Sequence, residues 1–118
     1  MVADVLERWG TKGWQWTHLP FGEHRNAITG ARLKRMGTKR GWPDFILLAP
    51  LDYGMPRPRG PHFLELKRKG GQLTDEQFEL MEWMTTNGYE YKVCDNFDDA
   101  VFVLKNWGAL KSAVSVSA

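Results

Sequence analysis

The sequence predicts an α/β domain, a mixed central sheet flanked by helices. Three observations lead there. Asp44 opens a continuous apolar run, Phe-Ile-Leu-Leu48, which has the length and pattern of a strand buried on both faces. A second strand-like run, His62-Phe-Leu-Glu-Leu-Lys67, follows a connection holding Pro50, Pro56, Pro58 and Pro61. A helix signal at 74–86 then separates that run from another strand signal at 89–93, which is the order of a βαβ crossover.

Each element has a local reason. Val2, Val5, Leu6 and Trp9 fall on one face of a short helix closed by Gly10. Residues 14–19 alternate aromatic and polar side chains and read as a strand, ended by Pro20 and Gly22. Ala31 to Met36 suits a helical turn stopped by Gly37. Gly41-Trp42-Pro43 breaks the chain before the apolar strand. Thr74 and Gln77 have the spacing of a capping box at the start of the 74–86 helix, and Asn87-Gly88 is its stop. Tyr89 to Val93 alternates as a strand. Asn96 caps a last helix over 97–107, with Asp98 and Asp99 in its electropositive first turn. From residue 111 the chain is small and polar, and a frayed tail is expected over 111–118.

Composition narrows the possibilities. A chain of 118 residues with 42% hydrophobic content is read as one domain spanning 1–118, large enough to bury its own core. A single cysteine, Cys94, excludes an internal disulfide and a Cys-based zinc centre. No apolar run approaches the roughly 18 residues of a membrane span. The first residues lack a basic start and apolar core, so a cytoplasmic protein is expected. Net charge is only +2, but its distribution is uneven: residues 1–60 carry a net +5 and residues 61–118 a net −3. Such asymmetry fits a charged binding face, and equally two solvated surfaces of opposite sign.

The residues that carry chemistry are Asp44, Glu65 and Lys67. Alternation along a strand puts Glu65 and Lys67 on one face and Leu66 on the other. If the 44–48 and 62–67 strands pair antiparallel, Asp44 meets them at one rim. Two carboxylates and the Leu66 carbonyl make an oxygen-rich site suited to Mg²⁺ or Mn²⁺. Such a cation neutralises phosphate charge and activates water, and Lys67 can orient the attack and stabilise developing charge. The ordinary alternative is a solvated Glu–Lys pair and an Asp in turn chemistry. Against it, the charged pair follows a strongly apolar His-Phe-Leu, a local inconsistency of the kind found at functional sites.

Met36-Gly37, Gly41-Trp42-Pro43-Asp44-Phe45, Phe63-Leu64-Glu65-Leu66-Lys67, Gly70-Gly71-Gln72-Leu73-Thr74-x-x-Gln77 and Gly88-Tyr89 together resemble the VRR-NUC (virus-type replication-repair nuclease) family of the PD-(D/E)xK nuclease superfamily. The likeness runs from about Leu19 to Leu104. It implies a restriction-endonuclease-like fold and a Mg²⁺-dependent endodeoxyribonuclease with Asp44, Glu65 and Lys67 as catalytic set. It places Leu66 on the metal through its carbonyl and Gln77 beside the site, where its amide can also serve the cap. It further implies a metal-approaching glutamate on the first helix, for which Glu7 is the natural candidate and Glu23 the other. Small members of the family resemble Holliday-junction resolvases, so branched DNA, a homodimer and a setting in DNA repair in a phage-infected or bacterial cell are implied.

On that reading the cations bracket the site. Arg25, Arg32, Lys34, Arg35, Lys39 and Arg40 precede Asp44, and Arg68 and Lys69 follow Lys67. They suit phosphate contacts, which are salt-dependent and sequence-independent. Trp42 is expected to pack rather than stack on a base. His18, His24 and His62 share no ligand spacing, and His62, three positions from Glu65, is expected on the opposite face. The competing readings are a non-catalytic nucleic-acid-binding module and a protein-interaction domain.

Overall fold

The computed structural model describes residues 1–20, 27–52, 54 and 59–111. Along them run α1 (Val2–Trp9), β1 (Gln15–His18), α2 (Ala27–Arg35), β2 (Phe45–Leu48), β3 (His62–Leu66), α3 (Asp75–Thr86), β4 (Glu90–Cys94) and α4 (Phe97–Trp107). The strands form one mixed sheet in the order β1-β2-β3-β4. The first two pairings are antiparallel and the third is parallel, as a crossover through α3 requires.

Alternation along the strands sends side chains to two layers. Phe45, Leu47, Leu64 and Cys94 face α1 and α4, where they join Val2, Leu6, Val101, Leu104 and Trp107 in the main core. Phe63 and Tyr91 face the other way, against Met84 and the half-buried Ile46, Leu80 and Met81. The sheet is therefore sandwiched, with α3 packed on the second face. The caps form as the sequence implies. Thr74 accepts from the Gln77 amide and Gln77 reaches back to the Thr74 amide. Asn96 accepts from the Asp99 amide at the start of α4, and Gly108 closes that helix with φ +86°.

One element is longer than expected. The helical turn read at 31–36 is α2, which starts at Ala27 and buries none of its side chains. With no core face it leaves no apolar periodicity in the sequence, and Gly30 interrupts its centre. Local terms contribute to its stability, with Arg32, Lys34 and Arg35 in its electronegative last turn. Strand ends shift by a residue: β1 is shorter than 14–19, and β4 runs to Cys94. Among the described residues no helix is long and apolar enough to cross a membrane.

Candidate metal-binding and catalytic cleft

The sheet register builds the site. Phe45 pairs with Leu64 across β2 and β3, so one step outward Asp44 stands opposite Glu65. Pro43 is buried and fixes the entry into β2. The Asp44 carboxylate accepts the Leu66 amide at 2.8 Å, and its backbone carbonyl accepts the Leu19 amide. At the end of β3 the Lys67 amide donates to the Cys94 carbonyl at 2.8 Å, extending the ladder to β4. Both sides of the rim are thus held by backbone.

Two glycines let the neighbouring loops close in. Gly41 has φ +86°, and a Cβ there would fall 2.9 Å from the Glu76 backbone. The segment before Asp44 can therefore lie against the first turn of α3 only without a side chain at 41. Gly71 follows the Lys67 strand in a turn closed by its amide on the Arg68 carbonyl, and a Cβ there would meet that carbonyl at 2.9 Å.

Gly41, Trp42, Asp44, Glu65, Leu66, Lys67 and Gln77 line a cleft of about 250 Å³. Gln77 belongs to it and to the cap at once: its Oε1 accepts the Thr74 amide at 2.9 Å and the Lys67 ammonium at 2.6 Å. The ammonium is thereby pinned at the cleft edge. Trp42 is half-exposed and meets Phe63 edge-on, so it packs while keeping a surface to solvent.

Electrostatics single out Glu65. It is buried on a strand facing α3, and burial, a hydrogen bond with Asp44 and the Asp44 charge raise its carboxyl from 4.5 to about 8 against the opposing pull of Lys67. Its Oε2 has no hydrogen-bond partner among the described residues. A second orphan lies nearby. The Tyr91 hydroxyl is buried without a hydrogen-bond partner among the described residues, and burial together with the Glu65 and Asp44 charges pushes its ionisation up. Tyr91 was not among the residues anticipated at this site; the only signal was its inward position in the alternation of β4.

The other anticipated residues divide. Arg32, Lys34 and Arg35 on α2, Lys39 and Arg40 after it, and Arg68 and Lys69 after β3 are all exposed. None makes an ion pair among the described residues, where the only such pair joins the N-terminal amine of Met1 to Asp4. Glu7 is exposed on α1 and does not line the cleft. Arg25, Glu23 and His24 lie outside the described residues. His62 is on the face opposite Glu65, between Trp14 and Trp107. No group of three or more His, Cys, Asp or Glu side chains gathers among the described residues.

The two carboxylates still fit a hard divalent cation. Mg²⁺ keeps several waters and is held through one or two carboxylates rather than a full protein cage. A buried carboxyl beside a second carboxylate, with one oxygen that has no hydrogen-bond partner among the described residues, is an arrangement that a cation would relieve further than Lys67 does.

No family model matches the chain, and neither a curated protein nor a solved structure matches it.

Proposed function

We propose that the protein is a divalent-metal-dependent nuclease that hydrolyses phosphodiester bonds in DNA, with branched DNA as substrate, on a restriction-endonuclease-like fold of the VRR-NUC type. The observation that carries this reading is the meeting of Asp44, Glu65, Lys67 and Gln77 around one cleft, from three separate elements. Asp44, Glu65 and the Leu66 carbonyl would hold Mg²⁺ or Mn²⁺. When bound, such an ion neutralises phosphate charge and lowers the pKa of water.

The chain's own residues do the rest. Lys67 presents a compact cation at the edge where charge develops on a phosphate oxygen. Gln77 fixes where that cation points. Gly41 lets the Trp42 segment wall the cleft off on the α3 side. The exposed cations of α2 and of Arg68-Lys69 supply phosphate contacts that position a strand without reading its sequence.

The test is a cleavage assay on a four-way junction, a flap and a linear duplex, with Mg²⁺, Mn²⁺ or EDTA. Cutting is expected only with metal, and Lys67→Ala is expected to lower kcat by about 10²–10³-fold. Metal-dependent cutting that persists undiminished in Lys67→Ala would sink the assignment. Binding without cutting under any metal would leave a nucleic-acid-binding module in its place.

A further inference from the structure

The rim formed by Asp44, Leu66 and Lys67 borders two cavities. The cleft opens toward α3. Toward α4 the same three residues border a larger pocket of about 480 Å³. Phe45 and Ala100 line it as buried apolar surface, while Phe97 and His18 line it as exposed rings. Phe97 is the first residue of α4 and stays 44% exposed, although the rest of that helix supplies much of the core. Part of the polar lining is already engaged. The Asn96 side chain caps α4 and bonds to Asp95 and Asp99. The His18 ring packs at 5.2 Å against Phe45.

We propose that this pocket receives an unpaired nucleobase, from the nucleotide adjoining the phosphate held in the cleft. The proposal rests on the nuclease reading above and narrows its substrate. A base and its phosphate are neighbours on one nucleotide, and here an apolar, aromatic-edged pocket adjoins a polar, cationic cleft across a rim one strand-end wide. A base stacked in a duplex cannot enter such a pocket; an extruded or single-stranded one can, with stacking on Phe97 replacing its stacking in DNA. With Asn96 committed to the helix cap and the lining mostly apolar, capture is expected to depend more on stacking than on base identity. The selected class is therefore DNA with an unpaired nucleotide at the cut, and uninterrupted duplex is disfavoured.

The experiment first maps the cut on a junction in Mg²⁺. The flanking nucleotide is then made paired, unpaired or abasic in otherwise identical strands. Removing the base from an unpaired position is expected to lower kcat/KM about tenfold, the usual scale of one stacked base. The same lesion several nucleotides away has no effect. In parallel, 2-aminopurine at that position reports stacking by fluorescence in Ca²⁺, whether or not any strand is cut. Phe97→Ala is expected to erase both the fluorescence response and the difference between base-bearing and abasic strands. The abasic series uses the unaltered protein and so does not depend on that variant folding. Equal rates on abasic and base-bearing strands, with no fluorescence response, would overturn the pocket assignment while leaving the nuclease reading intact. A fluorescence response without metal-dependent cutting would overturn the nuclease reading and leave the pocket.

Discussion

β3 buries two titratable side chains, one toward each end, and their surroundings are opposites. His62 is 1% exposed and Glu65 2%. Around His62 a cation and two aromatic rings close in, although its Nδ1, like Glu65 Oε2, has no hydrogen-bond partner among the described residues. Arg59 bonds to its Nε2 at 2.9 Å and to the Trp107 carbonyl at 2.9 Å, and the guanidinium lies 5.2 Å over the Trp14 ring. Burial, then the Arg59 charge, lower the His62 pKa, so the ring is neutral and accepts from a cation that cannot lose its proton. Around Glu65 the hydrogen-bonding neighbour is another acid, Asp44, and one oxygen has no partner among the described residues. Burial of a titratable group therefore says little about function. What separates the two is the sign of the neighbouring charge and the access: His62 sits beside a cation and between two rings in the core, whereas Glu65 sits beside a second carboxylate on the wall of a cleft, where a cation can arrive.

The sharpest way to break this contrast is to remove each charge site separately. Glu65→Gln keeps the shape of the carboxyl and removes a ligand. Cleavage is expected to fall by on the order of 10³-fold, since metal stabilisation of phosphoryl charge is worth several kcal/mol. Folding stability near pH 8 should hold or rise, because a charge no longer has to be buried. A variant that cuts DNA normally would place Glu65 in the same structural class as His62.

His62→Ala should do the reverse. It opens a cavity between Trp14 and Trp107 and leaves Arg59 without one acceptor, at a cost of about 2–4 kcal/mol in urea unfolding. Activity per folded molecule should not change. Loss of activity at full folding would show that the two ends of β3 are coupled.

The pH dependence of stability separates the two groups by sign. Between 4.5 and about 8 the folded state keeps the Glu65 proton that the unfolded chain has lost, so this group makes stability fall as pH rises through that window, by at most about 1.4 kcal/mol per pH unit. Above about 8 its effect is flat. His62 acts oppositely. Its folded pKa lies below its ordinary 6.5, so its contribution is present above that pH and is lost as pH falls below it. Denaturant titrations of Glu65→Gln should therefore retain only the His62 slope. Saturating Mg²⁺ should likewise flatten the Glu65 slope in the unaltered protein, with proton release on binding measurable by calorimetry in two buffers. A slope unchanged in Glu65→Gln would show that another group sets it.

These two regions also differ in how far sequence alone reveals them. The rim at Asp44, Glu65 and Lys67 follows from strand alternation and a single antiparallel pairing; the capping pattern gives Gln77 its cap, while its place beside the cleft is implied only by the family resemblance. The last helix, read at 97–107, forms over those residues because its Asn cap, acidic first turn and apolar face agree. The His62 enclosure joins Trp14, Arg59 and Trp107, which no local pattern links. The length of α2 is hidden for the opposite reason: it buries none of its side chains, so it leaves no burial pattern to read. Tyr91 was passed over because an aromatic in an alternating strand is ordinary core, and only its unpartnered hydroxyl beside two carboxyls marks it out.

Gln77 stands where the two kinds of polar group meet, since one oxygen serves a helix cap and a cleft ammonium together. Thr74→Ala removes the other half of the capping box and should cost about 1 kcal/mol of stability. It should leave cleavage per folded molecule unchanged, because Gln77 still reaches Lys67. Gln77→Ala should cost a similar amount in unfolding and, in addition, release the ammonium at the cleft edge. Its kcat should then fall about tenfold while KM holds, as expected when a catalytic group loses its orientation but not its charge. Gln77→Glu keeps an acceptor for both donors and should recover most of that rate. If Thr74→Ala and Gln77→Ala alter kcat equally, the amide is a cap and nothing more, and Lys67 finds its position without it.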